Sequence, residues 1–187
     1  MTRFWKSSKS EAENMQRDRL RKVALASLLA ALAVLFSPIS FPAGPSRCFP
    51  FQHTINGVAG VLLVSFWACG AAVVAALVRN LLGTGTILAF PGSFFGALIV
   101  GLTAKLLPQK YLFLAALAEP LATGTLGAGA ASFIASAPGG REAMFAVLSA
   151  AFLLSSVPGA IGGCFLLRFL LRSEKLSNLI DRKGNVS

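Results

Sequence analysis

Hydrophobic positions run almost unbroken from Val23 to Leu171, with few charged residues among them. The runs are long and rich in Ala and Leu. They lack the apolar–polar alternation that marks the strands of a membrane β-barrel. A spanning helix needs about 20 mostly apolar residues, so this interval has room for about six or seven. Residues 1–22 are polar and mixed in charge, and 10–22 reads as a short surface helix. A first helix is expected over 23–36, with Ala26, Ala30 and Ala33 on one face. Ser37-Pro38 ends it, because proline lacks an N–H and restricts the residue before it.

Prolines at 38, 42, 45 and 50 predict a stiff, extended loop over 37–54, suited to covering a cavity. The apolar stretch 55–82 would be about 42 Å long as one helix. That exceeds a hydrocarbon core of about 30 Å, so two short helices joined near 65–70 are expected. The turn RNLLGTGT follows, from Arg79 to Thr86. Helix 4 is placed at 87–107, with Phe90-Pro91-Gly92-Ser93 interrupting its start. Helix 5 is placed at 111–135 and contains Glu119-Pro120. Helix 6 is placed at 143–171, before a basic tail. The expected fold is an all-α integral membrane protein of six transmembrane helices. Residues 1–22 form a basic head, 23–172 the membrane domain and 173–187 the tail.

Composition supports the membrane assignment. Charged residues make up 13% of the chain, against about 25% in a typical soluble domain. A net charge of +10 would suggest nucleic acid in a soluble protein. Here the charges gather at segment ends, which is a topology signal and argues against a nucleic-acid partner. Fourteen Lys and Arg fall on the side of the N-terminus, against Arg47, Arg79 and Arg141 on the other. That bias predicts both termini in the cytoplasm and a multi-pass protein of the cell membrane. The first apolar run leads into prolines rather than an A-x-A site, so no cleavable signal peptide is expected. Cys48, Cys69 and Cys164 are far apart and suggest neither metal nor disulfide. There is one histidine and no hydrolase, metalloprotease or Walker motif. We therefore expect no catalytic residues, no metal and no cofactor, so any ATP-driven step falls to a partner.

The candidate chemistry is polar and sparse. Gln52, His53 and Asn56 open a hydrophobic segment and read as the wall of a small-molecule site at the membrane boundary. The alternative is a histidine meeting headgroups or water. Glu119 is the only carboxylate between Asp18 and Glu142. Burying a charge in a bilayer costs roughly 2.5–3.5 kcal/mol on insertion scales, so such groups usually serve a function or pair with a partner. Glu119 reads either as a ligand contact or as a structural partner of Arg79 or His53. Arg79-Asn80 with Thr84 and Thr86 reads as a ligand contact or as a helix cap. Phe49, Phe51, Phe90 and Phe94 could supply aromatic walls. Gly92-x-x-x-Gly96 and Gly159-x-x-x-Gly163 read as ordinary close-packing faces. The alanine face of helix 1 could instead serve a partner protein.

Several stretches together carry a family resemblance. They are the basic head, the alanine-faced first helix, the proline loop, CFPFQHTINGVAGVLL, RNLLGTGTILAFPGSFFGAL and AEPLATGTLGA. Over roughly residues 20–170 the chain resembles the ThiW-type substrate-binding (S) component of energy-coupling factor transporters. The resemblance implies uptake of a thiamine precursor, the hydroxyethylthiazole moiety. It also implies a transmembrane T subunit and two ATPase subunits, with Ala26 and Ala30 facing the T subunit. On that basis Gln52, His53, Asn56, Arg79 and Asn80 are expected near the ligand. Phe90, Ser93, Glu119 and Thr123 are expected there too. The alternatives are an S component for another thiamine-related compound, a stand-alone secondary transporter of a small heteroaromatic solute, and a ligand-free scaffold.

Overall fold

The structure, a computed structural model, describes residues 2–43, 46–63, 65–135 and 138–173. The first helix, α1, is continuous from Thr2–Leu35. No Gly or Pro occurs in that interval, so nothing interrupts it. The surface helix expected over 10–22 is therefore the first half of α1 rather than a separate element. The change from polar to apolar at residue 23 marks a change of surroundings, not of backbone.

The proline segment departs from expectation. Phe41–Ala43 (β1) pairs antiparallel with Ser46–Cys48 (β2), Phe41 opposite Cys48 and Pro42 opposite Arg47. The next helix, α2, then runs over Pro50–Leu63, beginning well before residue 55. Pro50 occupies the first helical position, where a missing N–H costs nothing and the fixed φ favours the helix. Gln52 and His53 consequently sit in the first turn of α2, not in a loop. The helix α3 spans Ser65–Leu81. Its Arg79 guanidinium lies 3.8 Å from the ring of Phe49, so α3 runs antiparallel to α2.

The helix α4 covers Ala89–Leu106, with Pro91 in its first turn, so the helix runs through the expected interruption. The helix α5 covers Gln109–Ala131 and changes winding along its length. It is 3₁₀ over Gln109–Leu117, α over Ala118–Ala122, π over Thr123–Gly127 and α again over Ala128–Ala131. The long helix α6 spans Gly140–Leu170.

Side-chain bonds fix the directions. Ala30 and Ala33 of α1 are buried with Ala71 and Ala75 of α3. Ser37 bonds Thr84 at 3.1 Å just past the ends of the same two helices, so they run in parallel. Phe49 N–H donates to Ser155 Oγ at 2.6 Å, and Thr54 Oγ1 to the Gly159 carbonyl at 2.8 Å, so α2 and α6 are parallel. Cys164 reaches the Phe113 carbonyl and Ser149 the Gly124 carbonyl, which makes α5 antiparallel to α6.

Two apolar groups bracket the middle of the bundle. One gathers Leu63, Val100, Leu112 and Leu167. The other gathers Leu88, Ala128, Leu148 and Phe152. On α4, α5 and α6 the buried polar side chains fall between these groups. Outward, Phe66, Leu106, Phe165 and Phe169 are all more than 70% exposed. Large apolar side chains facing out of the bundle suit a lipid surroundings, and this is a membrane protein. By length and composition three of the described helices can cross a membrane: Ala89–Leu106, Gln109–Ala131 and Gly140–Leu170. The helix α2 has 14 residues and reaches only about 21 Å.

Candidate functional site

The polar cluster is assembled where α2, α4, α5 and α6 meet. Gln52, His53 and Asn56 are buried in the first two turns of α2. His53 Nδ1 lies 2.5 Å from Glu119 Oε1, and Glu119 is fully buried. Thr123, one turn later on α5, donates to the same oxygen at 2.9 Å and also lies 3.2 Å from the Gly92 carbonyl. Gln52 Nε2 donates to Ser93 Oγ, tying α2 to α4. A lone carboxylate at this depth would be strongly disfavoured, and pairing it with His53 and Thr123 offsets that cost. The partner of Glu119 is therefore His53, not Arg79.

The cluster needs room, and two glycines provide it. A Cβ on Gly96 would stand 2.6 Å from Glu119 Oε1 and 2.8 Å from Thr123 Oγ1. A Cβ on Gly159 would stand 2.5 Å from His53 Cβ. Of the two glycine pairs read from sequence as packing faces, Gly92, Gly96 and Gly159 thus lie against the site, while Gly163 packs on Thr54 and Ala116. Ser155 and Ser156 also belong here and were missed. Ser155 holds the Phe49 amide, and the hydroxyl of Ser156 is buried without a hydrogen-bond partner. Their only sequence signal was a pair of small hydroxyl residues in the middle of an apolar helix.

The other expected residues divide. Arg79 is fully buried against the face of Phe49, which is itself buried. Asn80 is not joined to the cluster. Its amide donates to the Ala76 carbonyl at 2.9 Å and the Thr86 carbonyl at 3.1 Å, closing the turn after α3. Of the expected aromatic walls, Phe49 lies at the site and Phe90 is half-buried in the first turn of α4. Phe51 stacks on Phe36 at 5.1 Å and Phe94 meets Phe95 edge-on, both partly exposed, so neither forms a wall. Cys48 is fully buried, with its thiol on the Ala151 carbonyl at 3.4 Å, and burial pushes its pKa up. Among the described residues no group of His, Cys, Asp or Glu is placed to hold a metal.

His53 and Glu119 bond each other rather than framing an open space. Two open grooves of about 410 Å³ lie elsewhere. One runs between α1 and α3, lined by Ala30, Val34, Val74 and Val78. Ala30 therefore packs against α3 and also edges this groove, while Ala26 is partly buried beside it. The second groove is basic, with Lys110, Arg168 and Arg172 around Tyr111.

Among known proteins, residues 23–173 match the family described as thiamine-precursor transporter protein (ThiW). Searches of curated proteins and of solved structures returned no match. The family match covers most of the chain, including every helix that builds the polar cluster. The chain belongs to the ThiW family of thiamine-precursor transporters.

Proposed function

We propose that this chain is the substrate-binding subunit of an energy-coupling factor importer and captures the hydroxyethylthiazole moiety on the external face of the cell membrane. The observation that carries this reading is the buried His53–Glu119 pair, flanked by Gln52–Ser93, with buried Phe49 just before α2. A small heteroaromatic alcohol needs a few placed polar groups and an apolar wall. A hydroxyl would donate to Glu119, and the ring nitrogen would accept from Gln52 or Asn56. In the structure one oxygen of Glu119 is engaged by His53 and Thr123, while the other has no partner. Binding replaces the His53–Glu119 contact with contacts to the ligand. All of α1 to α6 cross the membrane in this reading, with both termini cytoplasmic. The groove edged by Ala30, with Ala26 beside it, faces a T subunit, and two ATPase subunits hydrolyse ATP.

The purified chain should bind hydroxyethylthiazole in isothermal titration and show no ATPase activity. His53→Ala and Glu119→Gln should each weaken binding by about tenfold or more, the scale of losing one charge-assisted hydrogen bond. Absence of binding to thiazole, pyrimidine and thiamine ligands alike would overturn the substrate assignment. A buried His–carboxylate pair also favours a second reading, a proton-coupled carrier working alone. Uptake into liposomes by the chain by itself, driven by a proton gradient, is the result that would select it.

A further inference from the structure

Arg79 presents a problem that the site as described does not solve. Its side chain is fully buried, and its Nε, Nη1 and Nη2 have no hydrogen-bond partner among the described residues. The Phe49 ring covers one face of the guanidinium at 3.8 Å. That contact satisfies the face of the cation but none of its in-plane N–H groups, which point along the edges of the fork. Glu119 makes no ion pair with Arg79; among the described residues its ion-pair partner is His53. The other described carboxylates, Glu11, Glu13, Asp18 and Glu142, are all at exposed positions. A buried guanidinium without an anion is strongly disfavoured, and none of the described carboxylates supplies one, so a bound ligand would be its complement.

The remaining unpartnered atoms point the same way. Asn56 Nδ2, Thr86 Oγ1 and Ser156 Oγ are buried and unpaired, and each can donate. Glu119 Oε2 is the one unpaired group restricted to accepting when ionised. Donors in surplus select a ligand rich in acceptors. Phe49 links Arg79 to the cluster, since its N–H is held by Ser155 and its carbonyl accepts from the Gln52 N–H at 3.0 Å. Arg79 therefore touches the side chain of a residue whose backbone is bonded to Ser155 and Gln52.

We infer that Arg79 recognises an oxyanion carried by the substrate, a phosphate monoester or a carboxylate on the thiamine precursor. This deepens the substrate-binding reading above and rests on it. A planar fork matches either group through two parallel hydrogen bonds. Full burial removes Arg79 from the reach of lipid headgroups, so the oxyanion belongs to a small solute.

The test uses the full chain in nanodiscs of zwitterionic lipid. Titration compares hydroxyethylthiazole, its phosphate monoester and the corresponding thiazole carboxylate. At least one oxyanion ligand should bind about tenfold or more tighter than the alcohol. Arg79→Gln should bring that ratio to near one, and Arg79→Lys should keep part of it. The inference is overturned if the alcohol binds wild type as tightly as both oxyanions, or if the ratio survives Arg79→Gln. Should Arg79→Gln fail to fold, the wild-type ranking and Arg79→Lys decide the matter. Alcohol binding without oxyanion preference sinks this inference and leaves the thiazole reading standing. Absence of binding by all three thiazole ligands would overturn the thiazole reading and this inference with it.

Discussion

At the scale of single residues, the site depends as much on absent atoms as on present ones. Glu119 can stay buried because His53 and Thr123 converge on one of its oxygens, and they converge there because Gly96 has no side chain. Gly96→Ala would place a methyl 2.6 Å from that oxygen, so the carboxylate must move or the helices must part. Overpacking of this kind costs about 1–3 kcal/mol. The expected outcome is a lowered melting temperature in detergent together with weakened ligand affinity. A variant with unchanged affinity would show that the Glu119–Thr123 geometry is irrelevant to binding. His53, Gln52 and Glu119 were legible in the sequence because polar groups in apolar runs demand partners, and Thr123 was expected only from the family resemblance. Gly96, Gly159 and Ser155 were not, because a small residue in a membrane helix is compatible with any close contact. The link between Arg79 and Phe49 was hidden for another reason: it depends on the antiparallel course of α2 and α3.

At the scale of elements, the governing contact is α2 against α6. Residue 50 was expected in the extended proline loop, whereas Pro50 starts α2 and the Phe49 N–H just before it is held by Ser155. Once α2 begins at Pro50, its first turn presses on Gly159, where a Cβ would meet the Pro50 carbonyl and His53. Gly159→Ala should therefore push α2 away and lose about 1–3 kcal/mol. Gly129→Ala is the control, since nothing lies within 4 Å of a Cβ there. It should be neutral or stabilising by up to about 1 kcal/mol, the usual gain from replacing a helical glycine. Thermal unfolding of the two variants should move them in opposite directions or leave only the first displaced. Equal melting temperatures would mean that the α2–α6 contact contributes little. The winding of α5 had no sequence counterpart beyond Glu119-Pro120. Its π segment begins at Thr123, the residue whose hydroxyl completes the carboxylate's partners, and such segments are frequent at functional sites.

At the scale of the whole molecule, depth and orientation decide what the site can meet. The Cys48 and Phe49 bonds to Ala151 and Ser155 place the start of α2 beside the middle of α6. The cluster is therefore roughly 20 Å along α6 from its Gly140 end at 1.5 Å per residue. Cations mark the two ends of the α5–α6 pair. Arg141 lies over Phe133 at one end, and Arg168 over Phe113 with Lys110 over Tyr111 at the other. If the end with more Lys and Arg is cytoplasmic, Arg141 faces outward and Lys110 inward. Single cysteines at these two positions test this, with Cys69 and Cys164 replaced by Ser to keep their donors to Phe94 and Phe113. Cys48 can remain, because full burial keeps its thiol from the reagent. A membrane-impermeant maleimide added to intact cells should label Arg141→Cys, and label Lys110→Cys only after permeabilisation. The opposite pattern would turn the molecule over and put the start of α2, with His53 in its first turn, toward the cytoplasmic side, against capture from outside.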